Sequence, residues 1–111
     1  MATPSDMRGA TPVPLLESIA YQEGAVVSRT LLKRLGGTMT LFAFDEGQSL
    51  SEHTTAVDAV VQVLEGIAEL TIAGTPLTAA AGEVVLMPAS QPHAVHARTR
   101  FKMLLTMIRP S

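Results

Sequence analysis

The chain carries three histidines, His53, His93 and His96, and no cysteine. Imidazole titrates near neutral pH, and its neutral form is both a general base and a metal ligand. In "SEHTTAVDAVVQVLEG" (51–66), His53 precedes an apolar run, with threonines and an alanine where a metal site would need further donors. A catalytic first-row metal ordinarily takes three or four protein ligands. Without thiolates, His53 and His93 are the candidate donors, and Gln48, Glu52, Asp58 and Gln62, all near His53 in sequence, are candidates to join them.

Which of these share a face depends on the strands that carry them. "IAELTIAG" alternates, with Ala68, Leu70 and Ile72 on one side and Ile67, Glu69 and Thr71 on the other, the period of a half-buried strand. "AVVSRTLLKR" (25–34), "TMTLFAFD" (38–45), "VVLMP", "HAVHAR" and "FKMLLTMI" read as strands as well, punctuated by Gly, Pro and acidic turns. No long helical periodicity competes with them, so an all-β sandwich or barrel is expected. "LLESIAYQ" (15–22) fits a helical turn or a short edge strand equally. Residues 1–14 read as a tail that is mobile unless docked.

Alternation then sorts the site. If Ala59 faces inward, so do Val61 and Val63, while Asp58, Val60, Gln62 and Leu64 face away. His93 and Val95 share a face, and His96 takes the other. Glu52 and Asp58 adjoin inward positions and point outward unless a bulge re-aims them. "MLLTMI" (103–108) is apolar on both faces, which suggests a second subunit as its outer cover.

Composition narrows the function classes. At 111 residues and 47 % hydrophobic content the chain is one domain with one core. A formal charge of −2 with dispersed charges gives no footprint for nucleic acid or an anionic membrane. The basic cluster "RTRFK" (98–102) reads as solvated loop residues. There is no secretory-signal pattern and no apolar stretch long enough to span a bilayer, so a cytoplasmic protein is expected. Phosphate loops, nucleophile elbows and zincin motifs are absent from the sequence.

Two clusters of residues carry a family resemblance. Gly47, His53 and Gly66 fit the first motif of the cupin superfamily, with Thr55 at the position of its second histidine and Ala59 at that of its glutamate. Gly82, Pro88 and His93 fit the second motif, with Ser90 in place of a glycine and Ala97 in place of an asparagine. Over residues 22–110 the chain thus resembles a small single-domain cupin with a degenerate metal-ligand motif. The resemblance implies an antiparallel double-sheet jelly-roll barrel, commonly dimeric, with its site inside the barrel.

The expected architecture is a lead-in segment (1–21) followed by the barrel (22–111). The expected pocket involves His53, Thr55, Ala59, Val61, Met87, His93 and Met103, with Phe42, Phe44, Val63, Leu105 and Met107 as further lining. The expected function is metal-free or metal-poor binding of a small molecule by a cytoplasmic homodimer, with no nucleic acid or membrane partner. Two enzymatic alternatives stay open. One is an oxygenase or isomerase using a divalent transition metal (Zn, Mn, Fe, Ni or Cu) on His53 and His93. The other is a metal-free epimerase with a histidine base, in which Tyr21, the only tyrosine, would have to be the acid.

Overall fold

The branched, alternating segments form nine antiparallel strands within residues 7–110, the part of the chain that the computed structural model describes. Five pair into one sheet, in the order β1 (Val26–Arg34), β2 (Gly37–Phe44), β9 (Phe101–Ile108), β4 (Asp58–Glu65) and β7 (Val84–Met87). The other four form a facing sheet, in the order β3 (Ser49–His53), β8 (His93–Ala97), β5 (Ile67–Ile72) and β6 (Thr75–Ala80). Apart from the β1–β2 and β5–β6 hairpins, neighbours in each sheet are not consecutive in sequence, as in a double-sheet jelly roll.

The core lies between the sheets. Phe44 and Phe101 stack at 4.5 Å between ring centroids, and Val61, Val63, Leu70, Val95 and Met103 pack in the same cluster. Ala59, Val61 and Val63 are buried, and Asp58 and Gln62 are exposed, as alternation along β4 requires. Two glycines permit close approaches that fix the frame. Gly66, at φ +81°, turns β4 into β5 where a Cβ would collide with the Arg100 carbonyl and Phe101. Gly37 lies against the Met107 carbonyl, so the β1–β2 hairpin sits directly on the end of β9.

A second, smaller cluster lies on the outer face of the five-stranded sheet. Here Ile19 packs with Leu31, Leu41, Ala43 and Leu104, flanked by Met7, Leu15 and Tyr21. Residues 15–22 thus resolve as a 3₁₀ turn at Leu16–Ser18 leading to a packed Ile19. The lead-in is pinned by polar contacts as well. The Met7 N–H donates to the Leu31 carbonyl (2.8 Å), the Arg29 guanidinium to the Ser18 carbonyl (2.8 Å) and the Lys102 ammonium to the Leu16 carbonyl (2.6 Å). Residues 7–14 therefore belong to a docked segment, while residues 1–6 of the expected tail lie outside the described residues.

Two expectations change as a result. The outer face of β9 is covered at Leu104 by the chain's own lead-in, so its apolar character needs no second subunit there. Lys102, expected in a solvated loop, is buried because it opens β9 beneath that lead-in. The other cations of the cluster are exposed and paired, Arg98 with Glu69 (2.6 Å) and Arg100 with Asp45 (2.7 Å).

Candidate functional site

His53 and His93 meet because β3 carries an irregularity. Leu50 pairs with Val95 and His53 with His93, so two residues of β3 lie opposite the single Ala94 of β8. The extra residue is a β-bulge, which shifts which side chains face inward. Leu50 and His53 both line the cavity, His53 from its solvent-exposed end, and Glu52, which strict alternation from Leu50 would turn inward, is exposed without lining it.

The two rings pack edge to face with centroids 4.4 Å apart and Nε2 atoms 3.2 Å apart. The Nδ1 of His53 lies 3.0 Å from the Ser51 carbonyl. A carbonyl only accepts, so that nitrogen carries the hydrogen and the Nε2 lone pair points at His93. His93 is buried, and its Nδ1 has no well-formed hydrogen bond. Burial and, secondarily, the charge of His53 hold the His93 pKa below its ordinary value; a weaker contact with the Gln91 backbone acts in the opposite direction. His96 faces outward, where its Nδ1 meets the Ser49 hydroxyl at 2.6 Å.

Behind the pair is a cavity of ≈ 110 Å³ lined by Phe42, Leu50, Ala59, Met87, Val95, Met103, Leu105 and Met107 together with the two histidines. Ala59 pairs with Met87 on one side and Met107 on the other, so the smallest side chain of that rung opens space between two methionines. Outside, a groove of ≈ 230 Å³ is lined by Arg34, Leu35, Val57 and Arg109 and shares Met107 as a wall with the cavity. Among the described residues, neither arginine is paired with a carboxylate.

His53, Ala59, Met87, His93 and Met103 come together as the sequence suggests. Thr55 and Val61 do not line the cavity. The strand ends at His53, and the Thr55 hydroxyl turns back to donate to the Val57 carbonyl (3.0 Å), so alternation cannot be carried across the loop. Val61 is fully buried one rung deeper, paired with Leu105 and Val85, and with Phe44 and Val63 it belongs to the packed core. Leu50 is a lining residue that sequence reasoning missed, since the bulge beside it has no local signature.

The donor set does not fit a divalent cofactor of the usual kind. No group of three or more His, Cys, Asp or Glu side chains comes together among the described residues. Asp58 is engaged with the Ala89 N–H (2.8 Å), and Glu52 and Gln62 are exposed. Two imidazoles fall short of the three or four protein ligands such a centre needs. Tyr21 is equally remote. Its hydroxyl donates to Glu65 (2.6 Å) on the outer face, and burial together with that carboxylate raises its pKa, so it cannot serve as the acid of an epimerase in this cavity.

Residues 40–109 match the family described as Cupin domain. The fold is similar to that of a conserved protein of unknown function from Streptococcus pyogenes, at TM-score 0.88 and 34% identity, covering 95% of this chain and 92% of that one. It is also similar to a cupin superfamily protein from Desulfitobacterium hafniense (TM-score 0.86, 29% identity, 94% and 95% coverage). A cupin 2 conserved barrel domain protein from Leptotrichia buccalis gives TM-score 0.85 at 38% identity, over 87% of this chain and 47% of that one. No curated protein matches the chain.

Proposed function

The chain belongs to the cupin family, and from that premise we propose that it binds a small, mainly apolar organic molecule inside the barrel, with His53 and His93 as its polar contacts. The observation that carries this reading is the ≈ 110 Å³ cavity, whose lining is hydrophobic except for the histidine pair at one end. Such a wall with a few polar groups suits a small organic ligand. An apolar protein cavity of about 150 Å³ holds benzene, so roughly four heavy atoms fit within this one. Larger ligands would extend past Met107 into the outer groove, where Arg34 and Arg109 favour an acidic end group.

His53 presents a neutral Nε2 that can accept a hydrogen bond from a hydroxyl or a protonated acid. The same atom is a competent general base, so turnover of a bound molecule is compatible with the geometry. The reading includes a cytoplasmic homodimer. It is supported by exposed Val84 and Leu86 on the edge strand β7, by the absence of cysteine, and by the absence among the described residues of any helix long and apolar enough to cross a membrane.

The test is ligand-observed NMR with a panel of four- to six-carbon acids and alcohols, comparing the wild type with Ala59→Leu. The added carbons would project between Met87 and Met107 while leaving both histidines in place. At least one compound should bind the wild type and lose ten-fold or more of its affinity in the variant. Equal binding by both, or none by the wild type, would remove the proposal.

A further inference from the structure

Beside the cavity, the inner face of the five-stranded sheet emerges from under its partner sheet. Thr38 pairs with Met107 across β2 and β9, as Phe42 does with Met103 deeper in the barrel, and side chains at this spacing share a face. Phe42, Met103 and Met107 line the cavity, so the ≈ 230 Å³ groove at Thr38 and Met107 is the open end of the same lumen. Its lining comes from β1, β2, β9, the residues that adjoin them and the loop before β4, and the facing sheet does not cover it. We propose that cavity and groove together hold an ω-hydroxylated aliphatic carboxylate, with its carboxylate on Arg34 and Arg109, its chain over Met107 and its hydroxyl at the histidine pair. This inference rests on the small-molecule reading and names the class of molecule.

Two arginines converge at the open end. Arg34 closes β1 and Arg109 follows β9, and the Arg109 N–H donates to the Gly36 carbonyl (2.9 Å), which holds the end of β9 against the hairpin that carries Arg34. One nitrogen of Arg34 donates to the Lys33 carbonyl (2.8 Å), which leaves most of that guanidinium's five N–H donors to a ligand. Lys33, opposite Thr38, adds a third cation, so three of the chain's eight lysines and arginines gather at this corner. Asp58, next to Val57 of the lining, sits opposite Ile108 on the other face and accepts from the Ala89 N–H (2.8 Å). Guanidinium groups pair bidentately with carboxylates, so this corner favours an acid over a neutral end group.

Between its two ends the site is apolar. Leu35, 88% exposed, Val57 and Met107 line the groove, and the cavity behind them is hydrophobic up to the histidines. Small-molecule sites ordinarily offer about 300 Å³ or more, which the ≈ 110 Å³ cavity reaches only when the groove is added. Arg109 lies two residues beyond Met107, about 7 Å along an extended strand, and that span plus the cavity's few atoms suits a chain of roughly eight carbons. The histidines fix which end goes inward. The Ser51 carbonyl holds the hydrogen of His53 on Nδ1 (3.0 Å), so Nε2 is an acceptor facing Nε2 of His93 (3.2 Å). A hydroxyl can donate to the first and accept from the second, whereas a carboxylate could only confront the His53 lone pair.

The experiment is calorimetric titration of the full-length protein with ω-hydroxyoctanoate, octanoate and the eight-carbon α,ω-diol, on the wild type and on Arg34→Gln/Arg109→Gln. The hydroxy acid should bind the wild type at least ten-fold more tightly than the diol, which lacks the carboxylate, and at least five-fold more tightly than octanoate, which lacks the hydroxyl. In the glutamine variant, checked for folding by circular dichroism, the hydroxy acid should lose ten-fold or more while the diol is unaffected. The comparison of the three compounds on the wild type stands by itself if the double variant does not fold. No binding of the hydroxy acid, equal affinity for the diol or octanoate, or undiminished binding by a folded glutamine variant would each overturn the proposal. Ala59→Leu separates this inference from the reading beneath it. If that variant weakens the hydroxy acid and the glutamine variant does not, the cavity binds organic molecules and the assignment of the acid end fails. If Ala59→Leu changes nothing, the ligand does not enter the cavity and both fail.

Discussion

At the scale of single residues, His93 is the group whose environment departs most from water. Its ring is buried against His53, the one other titratable side chain lining the cavity, and its pKa is lowered for that reason. Above the ordinary value of 6.5 both folded and unfolded chains hold this ring neutral, and the shift has no effect on stability. As pH falls below 6.5 the unfolded chain takes up a proton that the folded one resists, so stability declines until the lowered folded pKa is passed. Thermal unfolding of the metal-free protein from pH 8 to pH 5 should show that decline. His93→Asn should show less of it, whatever its absolute stability. An unchanged pH slope in the variant would locate the dependence elsewhere.

Among the elements, the lead-in and β3 carry the main lessons. Ile19 is 7% exposed beneath nothing but its own chain, so Ile19→Ala should destabilise the fold by about 2 kcal/mol, near the lower end for buried aliphatic truncations. Denaturant unfolding measures this directly, and a loss under about 0.5 kcal/mol, the range of ordinary surface substitutions, would mean that the segment does not stay docked in solution. Much of the architecture was legible in the sequence. The alternation that buries Ala59, Val61 and Val63 could be read along β4, as could the shared face of His93 and Val95. What escaped depends on pairing between distant segments. The docking of Ile19 on Leu104 joins the two ends of the chain, and the bulge in β3 is defined only against β8. Thr55 was misplaced for a related reason, because alternation stops where a strand stops.

For the whole molecule, the open question of association moves to another surface. The lead-in covers the outer sheet over β1, β2 and β9, whereas β7 is an edge strand whose outward Val84 and Leu86 are 63% and 55% exposed. Exposed apolar edges invite pairing with another chain. Sedimentation velocity at micromolar concentration should show a dimer, and Leu86→Glu should shift it toward monomer without changing the circular dichroism spectrum. A dimer indifferent to that charge would have to use a different face. The bulge in β3 has a further consequence at this scale, because it makes the interior of the barrel sensitive to the length of one strand as well as to its letters. With a regular ladder continued from Leu50 and Val95, Glu52 would stand opposite His93 and bring an acid where the chain now has a base. Loss of one codon between Leu50 and His53 would instead keep the histidine opposite its partner on an unbroken ladder. Among chains that share this barrel, gain or loss of a single residue in this strand can therefore change cavity chemistry as surely as a substitution can, while every residue at the site itself is spelled the same.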